Sequence, residues 1–322
     1  MALLEVQHLC VDYPVRGGLF RKKKFLHAVN DVSFFLEEGE TLGLVGESGC
    51  GKSTLGRTLV GLIEPASGSI KLEGREFAGR KNRAARRALC GKYQMIFQDP
   101  YGSLNPRLTI FETLDEILRR SEKGADKNQR RAKAAELLKR VGLDAQLLDR
   151  YPHQFSGGQR QRIGIARSLA AHPAFIVADE PVSALDVSVQ ASIVNLLDDI
   201  RRETGTSFLF IAHDLAVVEH ISSRILVMYL GNVVESAHSH ELIAHCRHPY
   251  TEALISAIPR VDRSKGGRIV LQGDVPSPLE PPQGCPFHPR CPYATERCKM
   301  EKPQLTEVSP GHAVACFHAL QK

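Results

Sequence analysis

Residues 46–53 read Gly46-Glu47-Ser48-Gly49-Cys50-Gly51-Lys52-Ser53, and few folds can accommodate that run. Before it, Thr41-Leu42-Gly43-Leu44-Val45 is an apolar stretch of buried-strand length. After it, Leu55 to Ile63 carries an apolar helical face, with Thr54 near its start. Strand, glycine loop, helix is the context in which such a run wraps phosphate. Glycines let backbone N–H groups curl around phosphate oxygens with no Cβ in the way. The helix N-terminus adds the positive end of its dipole. Lys52 then reaches the β- and γ-phosphates and the Ser53 hydroxyl ligates Mg²⁺. The rival reading, a flexible glycine loop that happens to precede Lys-Ser, has to ignore both the filled positions and the flanking elements.

Composition narrows the setting. At 322 residues the chain has room for one large domain or two smaller ones. Its 43% apolar content supports a conventional core. A net charge of +6 permits contact with anionic lipid head groups or nucleotides and demands neither. The run Arg21-Lys22-Lys23-Lys24 reads either as a solvated loop between strands or as a lipid contact. With no Trp and few aromatics among its basic residues, the chain offers no stacking surface for nucleic acid. No segment approaches the roughly 20 apolar residues that span a bilayer. Met1 to Cys10 holds Glu5 and His8 and lacks a basic start, so it does not read as a signal peptide. A cytosolic chain is expected, whose 8 cysteines are thiols or ligands before they are disulfides.

Apolar runs alternate with helical periodicity along the chain. Strands are expected at Leu3–Val11, Val32–Leu36, Ser69–Leu72, Tyr93–Phe97, Ala174–Ala178 and Ser207–Ala212. Helices are expected at Arg130–Val141, at Gly158–Ala171, and where Val189, Ile193, Leu196, Leu197 and Ile200 share a face. Gly231-Asn232, between Ile225–Tyr229 and Val233–Glu235, signals a hairpin. The alternation predicts an α/β core with a largely parallel sheet. Composition shifts near residue 246. From Pro276 onward the tail is dense in Pro and Cys and needs docking or a metal centre, since it cannot build a core alone.

Two further clusters carry chemistry. Ser156-Gly157-Gly158-Gln159 is a glycine turn opening a helix, a second anion site. Phe175-Ile176-Val177-Ala178-Asp179-Glu180 is an apolar strand ending in two acids. Such a strand delivers Asp179 to the Mg²⁺ hydration shell and Glu180 to the attacking water. Ser183-Ala184-Leu185-Asp186 follows at once, and His213 ends the next apolar strand. This order of motifs resembles the ABC ATPase family, over about residues 3–245.

The resemblance implies a role for each position. Tyr13 matches the aromatic that stacks on adenine, although a lone Tyr is otherwise a strand-end residue. Gly46, Ser48, Gly49, Cys50, Gly51, Lys52, Ser53 and Thr54 form the ATP-binding Walker A region. Gln98 matches the Q-loop glutamine that senses Mg²⁺ and the γ-phosphate, and leads to a surface contacting a membrane subunit. Ser156, Gly157, Gly158 and Gln159 form the signature that completes the nucleotide site of a second cassette. Asp179 and Glu180 are Walker B, Ser183 to Asp186 the D-loop, and His213 the switch histidine. Phe155 stands where Leu is commoner, a packing variant. Cys50 fills a variable loop position and is expected to contribute only its backbone N–H, although its thiol sits by Lys52 and a helix start, both of which lower thiol pKa. The implied fold is an α/β P-loop NTPase core with an antiparallel β subdomain, a helical subdomain at about 99–165 and a small Cys-rich extension. The ATPase domain would cover 1–245 and the extension 246–322. Two cassettes would meet head to tail, closing on ATP and opening on hydrolysis.

Within the family the finer resemblance is to ATPase subunits of bacterial oligopeptide and dipeptide importers. It rests on Val45 to Arg57, Gln98 to Arg107, Gln154 to Arg162, His248-Pro249-Tyr250-Thr251 and Gly273-Asp274-Val275-Pro276-Ser277-Pro278. The Tyr13-Pro14 opening with its insertion to Lys24 looks like the second of the two ATPases in the dipeptide system. That implies a heterodimer with a sister ATPase, two membrane permease subunits and an extracytoplasmic binding protein, at the cytoplasmic face of the inner membrane. The same role for nickel or haem-like solutes, a soluble non-transport ATPase and an export ATPase stay as alternatives. Cys285, Cys291, Cys298 and Cys316 are separated by five, six and seventeen intervening residues. They lack the close pairs of structural zinc sites. Three readings are open: a [4Fe–4S] cluster, which similar importer ATPases favour, zinc, or unliganded thiols. Because the ATP-binding motifs lie elsewhere in the chain, nucleotide binding is expected to be independent of this tail.

Overall fold

The computed structural model describes residues 2–15, 24–79, 82–99, 101–183, 185–258 and 269–321. Arg21, Lys22 and Lys23 of the basic run, Pro100 after the Q-loop glutamine and Ala184 of the D-loop lie outside them. The chain forms two compact units: Met1–Ala85 with Phe210–Lys322, and Arg86–Leu209.

The first unit opens on strands β1 (Ala2–Val15) and β2 (Lys24–Glu37), then β3 (Thr41–Val45), helix α1 (Lys52–Leu59), β4 (Ser67–Leu72) and β5 (Arg75–Glu76). An antiparallel sheet runs in the order β2-β1-β4-β5. The long strands keep one buried face by shifting phase. Leu4 and Val6 are buried, and so are Leu9 and Val11, which alternation alone would place on the other face. The register slips between Val6 and Leu9, where His8 takes a φ of 49° and Asp31 on β2 a φ of 55°. A bulge there restores the apolar set to the core, and the His8 ring bonds Asp31 at 2.7 Å. Both strands outrun the expected spans because they pair with each other to their ends, Val15 opposite Lys24.

Helix α2 (Arg83–Ala88) leads into the second unit. That unit holds β6 (Tyr93–Ile96), α3 (Ile110–Ser121), α4 (Lys127–Arg140), α5 (Gly157–Leu169), β7 (Phe175–Asp179), α6 (Val187–Thr204) and the start of β8 (Ser207–Ile211). β6 and β7 pair in parallel, Met95 against Val177, and Ser207 continues alongside through its N–H to Ala174 O at 2.9 Å. α3, α4 and α5 each open with a reciprocal capping box: Thr109/Glu112, Asp126/Gln129 and Ser156/Gln159. Buried Asp115 of α3 accepts from Arg119 at 2.9 Å and from Arg130 of α4 at 2.5 Å. Burial pushes its pKa up, but these bonds outweigh burial and hold the carboxyl below its ordinary value.

β8 returns the chain to the first unit, followed by α7 (Leu215–Ile221), β9 (Arg224–Tyr229), β10 (Asn232–His238), α8 (Ser239–His245) and α9 (Pro249–Ser256). The tail adds α10 (Glu296–Met300), β11 (Thr306–Ser309) and β12 (His312–Val314). Here the strands run β11-β12-β10-β9-β3. β3 and β9 are parallel, Leu44 against Leu226, and β3 is buried on both faces. The β9–β10 turn is Leu230-Gly231, one residue earlier than expected, with φ of 43° and 78°. Two positive φ values suit the tight hairpin turn, and Asn232 instead starts the strand, its Nδ2 donating to Leu230 O at 2.6 Å.

Docking is how the Pro- and Cys-rich tail gains a core. β12 pairs with β10, Glu235 opposite Val314. Buried Glu235 accepts from His312 Nε2 at 2.7 Å and from the backbone N–H groups of Arg247 and His248 at 2.5 and 3.1 Å. Phe287 is fully buried against Tyr229 and Tyr250, with ring centroids at 5.2 and 5.4 Å. Lys24, last of the basic run, donates to Glu280 of the tail. Among the described residues no helix is long and apolar enough to cross a membrane.

Candidate functional site

In the first unit the phosphate-loop sequence lies between β3 and α1. Gly51 is the N-cap of α1, at φ 106°. Two of the loop glycines are forced by backbone crowding: a Cβ at Gly46 would lie 2.1 Å from Met228 O, and one at Gly51 would lie 2.1 Å from Ala28 O. The hairpin turn supports the loop from below, Gly231 N–H donating to Cys50 O at 2.9 Å. Lys52 is buried, its ammonium donating to Gly46 O at 2.7 Å and Glu47 O at 3.0 Å. Ser48 and Gly49 are exposed at the tip, and Ser53 and Thr54 are half-buried on the first turn of α1.

Cys50 departs from expectation. Its thiol is buried, and burial raises its pKa although Lys52 opposes the shift. Desolvation of the thiolate outweighs the nearby ammonium. Tyr13 lies near the end of β1 opposite Leu26, partly exposed. His213 follows β8 as an exposed residue, and Asp214 beside it caps α7 through Ala216 N at 2.9 Å.

Glu47 is the residue that sequence reasoning passed over. Its N–H donates to Tyr250 Oη at 2.8 Å. Its carboxylate takes a two-pronged bond from Arg290 of the tail, at 2.6 Å to Oε2 and 3.1 Å to Oε1. The Arg290 side chain is 8% exposed. The tail therefore reaches the phosphate loop and grips its second residue. Position 290 lies 243 residues from position 47, and no local pattern links two charges so far apart.

In the second unit, Gln98 and Glu180 come together, Gln98 Nε2 donating to Glu180 Oε2 at 2.9 Å. Asp179 is fully buried at the end of β7. Glu180 takes a φ of 45°, an uncommon and costly conformation for a non-glycine residue. Ser183 Oγ donates back to Glu180 O at 3.1 Å, stapling the turn. Asp186 is the N-cap residue of α6, without a side-chain cap bond.

Ser156 caps α5, its Oγ accepting from Gln159 N at 3.3 Å while Gln159 Oε1 accepts from Ser156 N at 3.0 Å. Gly158 is required by packing, since a Cβ would lie 2.6 Å from Val189 Cγ1 of α6. Gly157 is not, its nearest neighbour being Leu185 Cδ2 at 3.6 Å. Phe155 is buried, as a packing residue would be. Arg160 sits over the Tyr101 ring at 3.7 Å and donates to Pro152 O at 2.7 Å, joining the start of α5 to the segment after Gln98.

Cys285, Cys291, Cys298 and Cys316 line one cavity, together with His248, Phe287, His288 and His318. Burial pushes the Cys285 thiol up to about 11, and Cys291 and Cys316 rise for the same reason. Among the described residues no three His, Cys, Asp or Glu side chains are grouped to hold a metal ion.

The ABC transporter family matches 29–183, and the oligopeptide/dipeptide transporter C-terminal region matches 234–298. The dipeptide transport ATP-binding protein DppF of Haemophilus influenzae is 50% identical, over 95% of this chain and 93% of its own. The oligopeptide transport ATP-binding protein AppF of Bacillus subtilis is 49% identical, over 98% and 96%. A solved dimeric ATP-binding cassette in a post-hydrolysis state with ADP and phosphate superposes at a TM-score of 0.65, with 28% identity over 73% of this chain and 98% of that one.

Proposed function

The chain belongs to the ABC transporter ATPase family, and on that premise we propose that it is the ATP-hydrolysing subunit of an importer for di- and oligopeptides. The observation that carries the substrate class is the match of residues 234–298 to the C-terminal region of oligopeptide/dipeptide transporters, beyond the cassette itself. We place the boundary between the ATPase domain and this extension at 245/246. In this reading the chain pairs with a homologous sister ATPase, and the pair sits under two membrane permease subunits fed by an extracytoplasmic binding protein. Its place is then the cytoplasmic face of the inner membrane.

Site roles follow from the residues. Lys52 and the loop N–H groups bind the β- and γ-phosphates, and Tyr13 stacks on adenine. Ser53, Gln98 and Asp179 would hold Mg²⁺, which neutralises phosphate charge when bound. Glu180 accepts the proton of the attacking water, and its bond to Gln98 supports a shared station at the end of β7. His213 contacts the γ-phosphate. Ser156, Gly157, Gly158 and Gln159 serve the partner's nucleotide, and Ser183 and Asp186 face the partner.

The four tail cysteines fit a [4Fe–4S] cluster. Four cysteines that line one cavity would supply its donor set. Bound there, a cluster would cross-link a segment that has little apolar core of its own.

The test is reconstitution with the sister ATPase and both permease subunits in vesicles. Peptide-loaded binding protein should raise ATP turnover and carry labelled peptide inward. Turnover stimulated by nickel- or haem-loaded binding protein and indifferent to peptide would overturn the substrate class. Failure to co-purify with any permease would overturn the transport role.

A further inference from the structure

Arg290 stands at the end of a short turn, His288–Arg290, bracketed by Cys285 and Cys291. Cys285 O accepts from His288 N at 3.1 Å, and Cys291 N donates to His288 O at 3.3 Å. Cys285 N in turn donates to Cys298 O at 2.8 Å. The turn that aims Arg290 is therefore built on the cysteine segment. At its other end Glu47 is held three times: Tyr250 at its N–H, Lys52 at its carbonyl and Arg290 at its carboxylate. A paired fork on a carboxylate fixes direction as well as charge. Left alone, the Glu47 anion would sit in a loop whose task is to bind anions, and would repel them.

We propose that Arg290 is a positioning residue through which the four-cysteine segment sets the phosphate loop's hold on nucleotide. It does so by neutralising Glu47 and fixing the backbone that Lys52 grips. The proposal rests on the reading of Gly46–Thr54 as the nucleotide loop, and it adds a residue from outside the cassette motifs.

The experiment measures the Kd of a fluorescent ATP analogue and ATP turnover on the chain assembled with its sister ATPase, purified anaerobically, with iron determined on the same samples. Arg290→Gln should raise Kd about tenfold, within the usual range of coupling between linked sites, with kcat at saturating ATP nearly unchanged. Glu47→Gln combined with Arg290→Gln should recover most of that loss, because the uncompensated anion is gone. Cys291→Ser should lower iron content and raise Kd, but not in the Arg290→Gln background. A wild-type Kd for Arg290→Gln overturns the proposal. So does a double variant as weak as Arg290→Gln, which would mean that Arg290 only packs the tail. So does a Cys291→Ser effect that persists without Arg290. Lys52→Ala separates the two levels: if it binds nucleotide normally, the loop reading itself fails.

Discussion

Glu180 and Gln98 show what a side-chain identity can and cannot announce. Two acids after an apolar strand point to metal and water chemistry, and the motif order assigns each acid. The left-handed backbone of Glu180 and its 2.9 Å bond to Gln98 are tertiary facts that no spacing predicts. They matter for the test. Glu180→Gln keeps size and leaves a polar partner for Gln98, but removes the base. ATP should still bind, while hydrolysis in the assembled complex falls about 100-fold or more, the scale for a lost general base. Steady-state turnover beside a binding isotherm checks it, and near-normal turnover would remove Glu180 from this role. Cys50 taught the opposite lesson. Proximity to Lys52 pointed to a lowered thiol pKa, yet burial, invisible in the local sequence, decides the sign.

Elements were legible where one periodicity ran unbroken. β3, β7 and β8, buried along their whole length, and α4, α5 and α6, each with a buried helical side, lie close to their expected spans. α3 was passed over although Thr109 and Glu112 are spaced as a capping box and Ile110, Leu114 and Leu118 share its buried side. The tail strands were not legible at all, since β11 and β12 owe their existence to the edge of β10. α9 shows an element whose start has a pH dependence of its own. Its N-cap is His248, whose Nδ1 accepts from Tyr250 N at 3.1 Å, so the ring is held neutral. Burial lowers its pKa from 6.5 to about 4, against the pull of Glu235. A histidine with a depressed folded pKa contributes stability in full above pH 6.5, and loses it as pH falls toward 4, because the unfolded chain takes up the proton first. The loss amounts to about 3 kcal/mol across that window at most. Urea unfolding at a series of pH values between 7 and 4 should show this slope in the first unit. His248→Asn keeps a cap acceptor and should flatten it, whatever its baseline stability; an unchanged slope would mean that other groups carry the pH dependence.

At the scale of the molecule, the signature and the phosphate loop belong to different compact units, α5 in one and β3–α1 in the other. In the proposed reading each presents an anion-binding backbone: the glycine loop before α1 and the capped start of α5. The head-to-tail reading assigns these two surfaces of one chain to two different nucleotides. It follows that damage to the signature should appear on the sister subunit's ATP and not on this chain's own. Ser156→Arg places a long cation at the start of α5 and removes a cap, a loss of about 1 kcal/mol to that helix. Ser156→Asn restores the cap while still changing the group offered to the partner, and so separates helix stability from recognition. In the heterodimer, photo-crosslinked labelled ATP should fall on the sister's phosphate loop for Ser156→Arg, with this chain's own labelling retained. Cap loss alone would weaken this chain wherever α5 supports it, and Ser156→Asn would repair that. Loss confined to this chain's own loop would place both anion sites on one nucleotide and end the head-to-tail assignment.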